Sequence, residues 1–426
     1  MAPGPSAEVS PIPAPVPEPF ARPAPAPSSS VASPRPAALG ENAQPVAPTP
    51  SVETATAAPY GGQEGGPVID QTAFERILNF GVERGISDLH FEVGHPPHLR
   101  LQGDLLPAKY PPLRPEDTIA LAQILLGKKR YAEFYSDRNE RDVTYTIPKV
   151  SRFRATVFWQ QGWVGAVLRV IPLVLRSFEQ LNLPNSINDL CVIRRGMILV
   201  TGATGNGKST TMAAMLQRVN QTRRAHIVTI EDPIEFLFPK EKSLFIQREV
   251  GTDTPSYRTA LTSALRQDPD VIMLGEIRDY ETAEICLKGA ETGHLVMSAI
   301  HTPDAVHTIE RFVGMFPPED HDSARLRFAE TLKATVSLRL LPTIEGHGRV
   351  PAVEVMRVTR TIQECIRHSD KLGELYHHIT KGKDLYGMQT FDQHLLDLFH
   401  EKKISYEVAK MAASNPEEFQ RALTIE

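Results

Sequence analysis

The sequence predicts an α/β protein in which a mostly parallel sheet with helices on its faces follows a smaller α+β domain and a proline-rich tail. From about Cys191 onward, apolar strand-like runs alternate with helical patterns, which is typical of a parallel sheet covered by helices. Before that point, short strand patterns accompany two helical stripes, and sixteen of the 36 prolines fall in residues 1–66. The predicted domains are a tail at 1–66, an α+β domain at 67–178, a linker at 179–190 and the larger domain at 191–426.

The tail interleaves proline with Ala, Ser and Val and contains few charged or aromatic residues. Such a segment cannot bury enough surface to offset the entropy lost on ordering, so we predict a disordered, partly polyproline-like spacer. Docking of its Pro-x-Pro segments in an aromatic groove of a partner is the functional alternative.

Two helical stripes and five strand patterns predict the α+β domain. One helix carries Phe74 and Leu78 on one face and ends near Gly85, and the second covers Pro115–Leu126. The predicted strands are Leu89–Val93, His98–Leu101, Val143–Ile147, Arg152–Trp159 and Gly165–Ile171.

The larger domain contains a complete G-x-x-x-x-G-K-[ST] phosphate loop at Gly202–Thr210, between the apolar run Met197–Val200 and a helical stripe. Its glycines allow backbone N–H groups to surround phosphate oxygens, and the following helix directs its positive end at the same anion. Lys208 is expected to neutralise β- and γ-phosphate oxygens, and Ser209 to ligate Mg²⁺. The predicted nucleotide-binding residues are Gly202, Thr204, Gly205, Gly207, Lys208, Ser209 and Thr210. The loop therefore predicts binding of ATP or GTP with Mg²⁺.

Three further apolar runs of this domain end in polar residues. The runs are His226–Ile230, Val271–Leu274 and Leu295–Ile300, and the residues that follow them include Glu231, Glu276 and His301. Because ligands bind beyond the carboxyl ends of parallel strands, we expect these side chains at the edge of the sheet that holds the phosphate loop. His294 lies at the opposite end of the third run, and from its position alone a structural role is expected.

These polar side chains fit the parts of phosphoryl transfer. Glu276 ends a run like a Walker B motif and is expected to hold Mg²⁺ directly or through water, while Glu231 is expected to activate the attacking water. His301 is a candidate sensor of the γ-phosphate. Asp232 and Glu235 fit helix caps or salt bridges as well as catalysis.

The C-terminal remainder predicts a helix over Asp322–Arg339, a strand over Val350–Met356 and polar helices toward Glu426. No chemistry is predicted from this part of the chain by itself.

Composition restricts the class of protein. A formal net charge of −5 gives no basic excess for nucleic acid, and the absence of an apolar run near the ~20 residues of a membrane span, or of a signal-peptide pattern, predicts a cytoplasmic protein without direct membrane insertion. The three cysteines, Cys191, Cys286 and Cys365, are too few and too far apart for a disulfide framework or a CxxC metal site, so buried thiols are expected.

From Val68 to its end, the chain resembles the bacterial type II/IV secretion ATPases, and within them the type IV pilus retraction ATPases. The segments that carry the resemblance are Ser87–His90, Arg152–Arg154, Gly165–Pro172, Gly202–Thr210, Thr229–Phe236, Leu265–Asp270, Gly275–Asp279, Ala290–His294 and His301–Thr302. The resemblance implies a PAS-like N-terminal domain, a RecA-like phosphate-loop ATPase domain and a homohexameric ring. It also implies ATP and Mg²⁺ as substrate and cofactor.

The same resemblance assigns roles to individual residues. The family's Asp box falls on Glu231–Glu235, its Walker B motif on Glu276, and its His box on His294 and His301, which adds His294 to the catalytic candidates. With Lys208, these are the residues from which we expect catalysis.

Three arginines of the α+β domain are a further part of this prediction. Arg152 and Arg154 share one face of a strand by its two-residue period, and Arg169 lies on the next strand. Arginines in such positions usually remain solvated or pair with carboxylates. The resemblance places all three near the nucleotide, which makes them candidate arginine fingers that act in trans on a neighbouring subunit.

Two features place the chain within the family and two depart from it. Extension and secretion ATPases usually carry a four-cysteine zinc module, but no cysteine lies between Cys286 and Cys365, which disfavours that class. The segments Leu385–Asp392 and Lys403–Glu407 resemble the tails of retraction ATPases. The AIRNLIRE motif of the retraction family falls at Thr361–His368, where the residues that persist are Ile362, Ile366 and Arg367. In the phosphate loop, Asn206 replaces the usual Ser, a change that an exposed, backbone-cradling position should tolerate.

We therefore expect a hexameric, Mg²⁺-dependent ATPase that drives pilus disassembly, and so twitching motility, through an inner-membrane platform protein at the cytoplasmic base of the pilus. The departure at Thr361–His368 leaves an alternative, an accessory or regulatory subunit with weak ATPase activity that acts through a paralogous retraction ring. A RecA-like nucleic-acid motor is the third reading, and the balanced charge argues against it.

Overall fold

The computed structural model describes residues 69–101, 103–171, 175–346 and 348–425. All of them belong to one compact unit. The predicted proline-rich tail lies outside the described residues. Two sheets organise the fold, and we call residues 69–171 the N-terminal module and residues 175–425 the C-terminal module.

The N-terminal module is a six-stranded antiparallel sheet with two helices. The helices are α1 (Gln71–Glu83) and α2 (Pro115–Asp137), and the strands are β1 (Asp88–Phe91), β2 (His98–Leu101), β3 (Asp104–Pro107), β4 (Arg141–Ile147), β5 (Ser151–Gln160) and β6 (Trp163–Ile171). The strand order is β3-β2-β1-β6-β5-β4. Asp70 caps α1 by accepting from the Ala73 N–H at 2.7 Å, and Phe74 and Leu78 of that helix are fully buried on the sheet.

Two details of this module differ from the sequence prediction. The predicted end at Leu126 coincides with a kink, because Gly127 has non-helical backbone angles (φ 69°, ψ 166°), but a second helical segment that was not predicted continues α2 to Asp137. The continuation buries Phe134, whose ring stacks on Trp159 with centroids 5.2 Å apart, so a tertiary contact extends the helix. Strand β3 was not predicted, because all four of its residues are exposed and show no alternation.

The C-terminal module contains a seven-stranded sheet whose strands are parallel except at one edge. The strands are β7 (Gly196–Thr201), β8 (His226–Glu231), β9 (Leu244–Glu249), β10 (Val271–Leu274), β11 (Leu295–Ile300), β12 (Leu332–Pro342) and β13 (Arg349–Arg357). Their order is β13-β12-β7-β11-β10-β8-β9, and β13 runs antiparallel to β12. Central strands β7 and β11 are buried along their whole length, as expected for a sheet covered on both faces.

Twelve helices accompany this sheet in the described part of the chain. They are α3 (Asn185–Asn188), α4 (Lys208–Thr222), α5 (Tyr257–Ala264), α6 (Tyr280–Glu291), α7 (Ala305–Val313), α8 (His321–Thr331), α9 (Arg360–Arg367), α10 (Leu375–Lys381), α11 (Lys383–Tyr386), α12 (Phe391–His400), α13 (Tyr406–Ala412) and α14 (Pro416–Ile425). Alternate residues of β7 enter different cores: Met197 and Leu199 pack with α5 to α10, while Ile198 and Val200 pack with α4. Leu183 and Ile187, in the predicted linker, belong to the second core.

The prediction of one helix over Asp322–Arg339 was wrong for its second half. Helix α8 ends at Thr331, and β12 begins at Leu332 and pairs in parallel with β7. The apolar positions between Leu332 and Arg339 satisfy both a helical stripe and a strand buried on both faces, so periodicity alone could not separate the two. The predicted strand at Val350–Met356 is confirmed as β13.

The three cysteines are free and buried, as predicted. Among the described helices, none combines the length and the apolar content that crossing a bilayer requires.

Candidate nucleotide-binding and catalytic site

The phosphate loop connects the carboxyl end of β7 to the first turn of α4, the order the sequence predicts. Gly205 and Gly207 have φ values of 82° and 85°, in the left-handed region that glycine adopts without strain. Thr204 and Gly205 are exposed, while Ser209 and Thr210 are half-buried in the first turn of α4. The loop therefore exposes its backbone next to the N-terminus of α4, the arrangement that binds anions.

Strand β12 supports the loop from behind. A Cβ on Gly202 would lie 2.6 Å from the carbonyl oxygen of Leu338, so this position accepts only glycine. Asn206 donates from Nδ2 to the same carbonyl at 3.1 Å, and its Oδ1 accepts from the Leu340 N–H at 3.4 Å. Asn206 is thus a tether between the loop and the sheet, a role that the sequence argument, which treated it as an exposed replacement, did not find.

Lys208 is buried within its own loop. Its Nζ donates to the carbonyl oxygens of Gly202 and Ala203, at 2.9 and 3.0 Å, and lies 3.3 Å from Nδ1 of His301. Burial lowers the pKa of Lys208, and the negative charge of Glu276 acts in the opposite direction. The ammonium group is therefore held by acceptors weaker than phosphate oxygens, and it lies where a phosphate would replace them.

Glu276, His301 and Lys208 form one connected group at this edge. His301 Nε2 lies 2.9 Å from Glu276 Oε2. Because the ammonium of Lys208 can only donate, His301 accepts at Nδ1 and carries its proton on Nε2, which donates to Glu276. The other oxygen of Glu276 is in an ion pair with Arg278, two residues further along the loop. Burial raises the pKa of Glu276, but the contacts with Arg278 and His301 outweigh it and leave the pKa below its usual value.

Arg278 was not predicted as a site residue from the sequence, although it lies in Gly275–Asp279, one of the segments that carry the family resemblance. Its side chain is 72% exposed, so the ion pair with Glu276 leaves most of the guanidinium open to solvent. The sequence feature that could have identified Arg278 is its position two residues after Glu276, the Walker-B-like carboxylate.

Glu231 lies at the end of β8, one strand away from Glu276 in the same sheet. Its carboxylate accepts from Thr229 Oγ1 at 2.7 Å and from the Glu235 N–H at 3.2 Å. Burial raises the pKa of Glu231 to about 7, and the hydrogen bonds only partly oppose that shift. A carboxyl group with a pKa near neutrality is suited to accept a proton from water at cellular pH.

His294 lies outside this group. It precedes β11, at the end of the strand away from the phosphate loop, and its Nδ1 donates to the Gly289 carbonyl at 3.0 Å. In the described part of the chain, this hydrogen bond holds the end of α6 next to the start of β11, which is a structural role. Its catalytic role, implied by the resemblance, stays a prediction.

The three arginines of the N-terminal module differ in environment. Arg152 is 12% exposed and pairs with Glu249 of β9 at 2.5 Å. Arg154 and Arg169 lie directly opposite each other on β5 and β6, and they are 45% and 70% exposed. Two like charges at opposed positions destabilise a sheet unless anions lie near them, and the carboxylates of Asp142 and Asp88 are the nearest described partners.

Glu249 joins the N-terminal module to the segment that follows Glu231. Besides Arg152, its carboxylate accepts from Thr144 Oγ1 of β4 at 3.0 Å and from the Ile234 N–H at 3.1 Å. Strand β9 was not predicted from the sequence, and Glu249 was therefore not identified there. The burial of Glu249, 5% exposed in an otherwise polar strand end, identifies it in the structure.

The residues at this edge fit a nucleotide with its magnesium ion. Gly202 leaves no room for a Cβ, Lys208 is a buried cation in the loop, and Ser209 and Glu276 provide the hard oxygen ligands that Mg²⁺ prefers. Glu276 is ionised at neutral pH, as a metal ligand requires.

Comparison with known proteins places this site in a family. A family model described as type II/IV secretion system protein matches residues 166–364. The type IV pilus retraction ATPase PilT of Pseudomonas aeruginosa is 43% identical over 343 residues, which cover 80% of this chain and 98% of PilT. The type IV pilus ATPase PilU of the same organism is 37% identical over 338 residues, which cover 79% of this chain and 87% of PilU.

Solved structures give the same result. The crystal structure of the pilus retraction motor PilT with bound ADP is similar to this structure with a TM-score of 0.75 and 42% sequence identity, over 81% of this chain and 98% of that chain. The similarity in fold and the similarity in sequence therefore extend over almost the full length of that motor.

Proposed function

Because this chain belongs to the type II/IV secretion system protein family, we propose that it is an ATP-hydrolysing motor that powers type IV pilus retraction. The observation that carries the proposal is the contact of Lys208 with His301, and of His301 with Glu276, at the mouth of the phosphate loop. The proposed assembly is a homohexamer in the cytoplasm at the inner-membrane base of the pilus, where it acts on a platform protein.

Nucleotide binding in this proposal begins with an exchange of partners at Lys208. The β- and γ-phosphate oxygens replace the carbonyl oxygens of Gly202 and Ala203 as its acceptors, while the N-terminus of α4 faces the same anion. Ser209 and Glu276 would hold Mg²⁺, which when bound neutralises charge on the phosphates. His301, already in contact with Lys208 and Glu276, reports whether the γ-phosphate is present.

Glu231 is the proposed general base. Its burial, and a pKa of about 7, allow it to take a proton from the attacking water and to release that proton afterwards. Thr229 and the Glu235 N–H fix the position of the carboxylate. Without a correctly placed carboxylate, water remains a weak nucleophile toward the γ-phosphorus.

Arg154 and Arg169 are the stronger candidates for arginine fingers among the three predicted arginines. Both lie side by side and, although Arg154 pairs with Asp142 and Arg169 with Asp88, their side chains are 45% and 70% exposed, whereas Arg152 is 12% exposed and held by Glu249. Such a finger stabilises the charge that develops on the γ-phosphate of a neighbouring subunit.

Steady-state ATPase assays of variants test the function. Lys208→Ala and Glu276→Ala are each expected to reduce turnover by about two to four orders of magnitude, since both remove groups on the transferring phosphate. Lys240→Ala removes an exposed lysine outside the site and serves as the control. Rates like those of the wild type in either site variant, with assembly unchanged by size measurement, would contradict the assignment.

Mixing experiments test action in trans. Arg169→Ala subunits and Lys208→Ala subunits are each expected to be nearly inactive alone, whereas mixed rings contain some sites with both groups intact. Recovery of ATPase activity on mixing supports a trans arginine, and its absence in rings shown to contain both variants argues for action within one chain.

One observation supports a second candidate function, an accessory subunit that acts through a paralogous retraction ring. Helix α9 contains most of the segment where this chain departs from the retraction family. Of the residues that persist there, Ile362 and Ile366 are buried, whereas the replaced residues Thr361 and Glu364 are exposed, where a partner could contact them. An ATPase assay coupled to a size measurement, with and without the paralogue, separates the two. Activity of the purified chain by itself supports the motor, and activity only after mixing supports the accessory role.

A further inference from the structure

Three potential metal ligands of the C-terminal module lie close together in and after helix α9. Cys365 lies in α9, Glu374 ends the 3₁₀ turn Ser369–Glu374, and His378 lies one turn into α10. One ligand atom of each, the Cys365 sulfur, a Glu374 oxygen and a His378 ring nitrogen, lie within 4.8 Å of one another. None of the three takes part in the nucleotide site described above.

The distances between these atoms are short enough for one cation to bind all three after small side-chain movements. His378 Nε2 and Glu374 Oε2 are 3.7 Å apart, close to the separation of two ligands on one ion. The Glu374 side chain is 61% exposed and can rotate, whereas Cys365 is only 2% exposed and held by the core around α9. The Cys365 thiol would thus be a fixed ligand on the buried side of the site, and the Glu374 carboxylate a ligand at the surface that can adjust its position.

The donor set selects the kind of cation. A thiolate and an imidazole suit zinc and similar late divalent transition metals, and a carboxylate is a frequent third ligand, whereas Mg²⁺ and Ca²⁺ prefer oxygen alone. We propose that Cys365, Glu374 and His378 form a binding site for a zinc-type divalent transition metal, with a fourth position open to water.

Metal binding there would tie together three consecutive elements of the chain. Helix α9, the turn at Ser369–Glu374 and α10 are joined by short connections and share one core through Ile366, Leu372 and Leu375. Burial raises the pKa of the Cys365 thiol, with the nearby charge of Glu374 acting in the same direction and that of Lys371 against it. A bound cation displaces that proton and replaces the contact between Glu374 and His378 with a stronger one.

Co²⁺ is the probe for the test, because a thiolate bound to it gives an intense charge-transfer absorption that oxygen and nitrogen ligands do not give. The full chain, freed of metals by a chelator and without nucleotide, is titrated with Co²⁺. We expect a charge-transfer band that saturates at one equivalent per chain, visible bands of a tetrahedral ion, and loss of both on addition of Zn²⁺. Zn²⁺ should also raise the melting temperature.

Variants identify the ligands. Cys365→Ser should remove the charge-transfer band, and His378→Ala should weaken Co²⁺ binding by at least about ten-fold. His377→Ala is the matched control, since His377 is the adjacent histidine, is exposed and lies outside the cluster, and it should leave binding unchanged. Circular dichroism confirms that each variant is folded.

Two results would overturn the proposal. One is the absence of a charge-transfer band from the folded wild-type protein at one equivalent of Co²⁺. The other is a band that persists in Cys365→Ser, which would assign the thiolate to Cys191 or Cys286. Because the readout is a spectrum recorded without nucleotide, neither result depends on the proposed ATPase function.

Discussion

The ion pair between Arg152 and Glu249 is predicted to couple the stability of the two modules. Arg152 lies on β5 of the N-terminal module and Glu249 on β9 of the C-terminal module, with side chains 12% and 7% exposed and 2.5 Å between nitrogen and oxygen. The perturbation is a double-mutant cycle of Arg152→Met, Glu249→Gln and the two together. Met keeps the length of the apolar stem, and Gln keeps the shape of the carboxylate.

The expected magnitude follows from burial. Two unit charges 4 Å apart attract by about 4 kcal/mol at an effective dielectric constant near 20, and leaving one member of a buried pair without its partner costs about 3–5 kcal/mol. The double variant leaves no unpaired charge and should recover part of that loss. We therefore expect a coupling energy of about 2–4 kcal/mol in the free energy of unfolding.

Urea titration of the purified protein without nucleotide, followed by circular dichroism, gives the four free energies. The control cycle uses Arg258 and Glu281, a pair at 2.9 Å between α5 and α6 whose side chains are 63% and 56% exposed. Solvent screening should limit that coupling to below about 1 kcal/mol. A coupling at Arg152 and Glu249 no larger than in the control would refute the argument that this pair is a buried link between the modules.

Three further predictions concern single side chains. Glu231→Gln should lower the ATPase rate by about 10²–10⁴-fold and leave nucleotide binding unchanged. Turnover assays measure the first effect, and titration with a fluorescent ATP analogue measures the second. A smaller loss of turnover excludes Glu231 as the base. In the wild type, turnover should increase as pH rises through about 7, since the base must lose its proton; a profile flat between pH 6 and 8, measured at saturating ATP, would contradict this. Burial also raises the pKa of Glu354 to about 7, above its unfolded value, so the stability it provides in its protonated form is lost as pH rises from about 5 to 8. Glu354→Gln keeps an acceptor for the Ala305 N–H but cannot titrate. Between about pH 5 and 8, the free energy of unfolding of this variant should therefore change by about 3 kcal/mol less than that of the wild type. Melting curves with the same pH dependence in both proteins would contradict this prediction.

The sequence predicted those parts of the site in which one residue type performs one local task. The phosphate loop, with glycines at the left-handed positions 205 and 207, needs no distant partner to be recognised. Glu231, Glu276 and His301 were predicted because ligands bind beyond the carboxyl ends of parallel strands. In the structure, Lys208, Glu276 and His301 form one connected group at that edge of the sheet.

The residues that were missed act through partners far away in the sequence. Asn206 bonds to Leu338, 132 positions later, and Glu249 accepts from Arg152, 97 positions earlier. Nothing in the local pattern around either residue encodes such a partner. Strand β9 was missed because two of its three apolar residues, Leu244 and Ile246, are exposed and only Phe245 packs against the core, so its pattern shows no buried apolar face.

The contacts of the two carboxylates suggest how the state of the nucleotide reaches the N-terminal module. Glu231 accepts from the Glu235 N–H, and Glu249 accepts from the N–H of Ile234, the residue before it, so the same short segment is held by the proposed base and by the partner of Arg152. A ligand shifts a conformational equilibrium only through contacts that differ between the two states. Glu249 also contacts Arg152 and Thr144 on the antiparallel sheet, so a change in the charge or position of Glu231 that displaced the segment at 234–235 would reach that sheet through Glu249. Breaking the Arg152–Glu249 pair should therefore reduce any rearrangement of the N-terminal module that depends on nucleotide, while the contacts of Lys208, His301 and Glu276, which do not involve Glu249, remain in place.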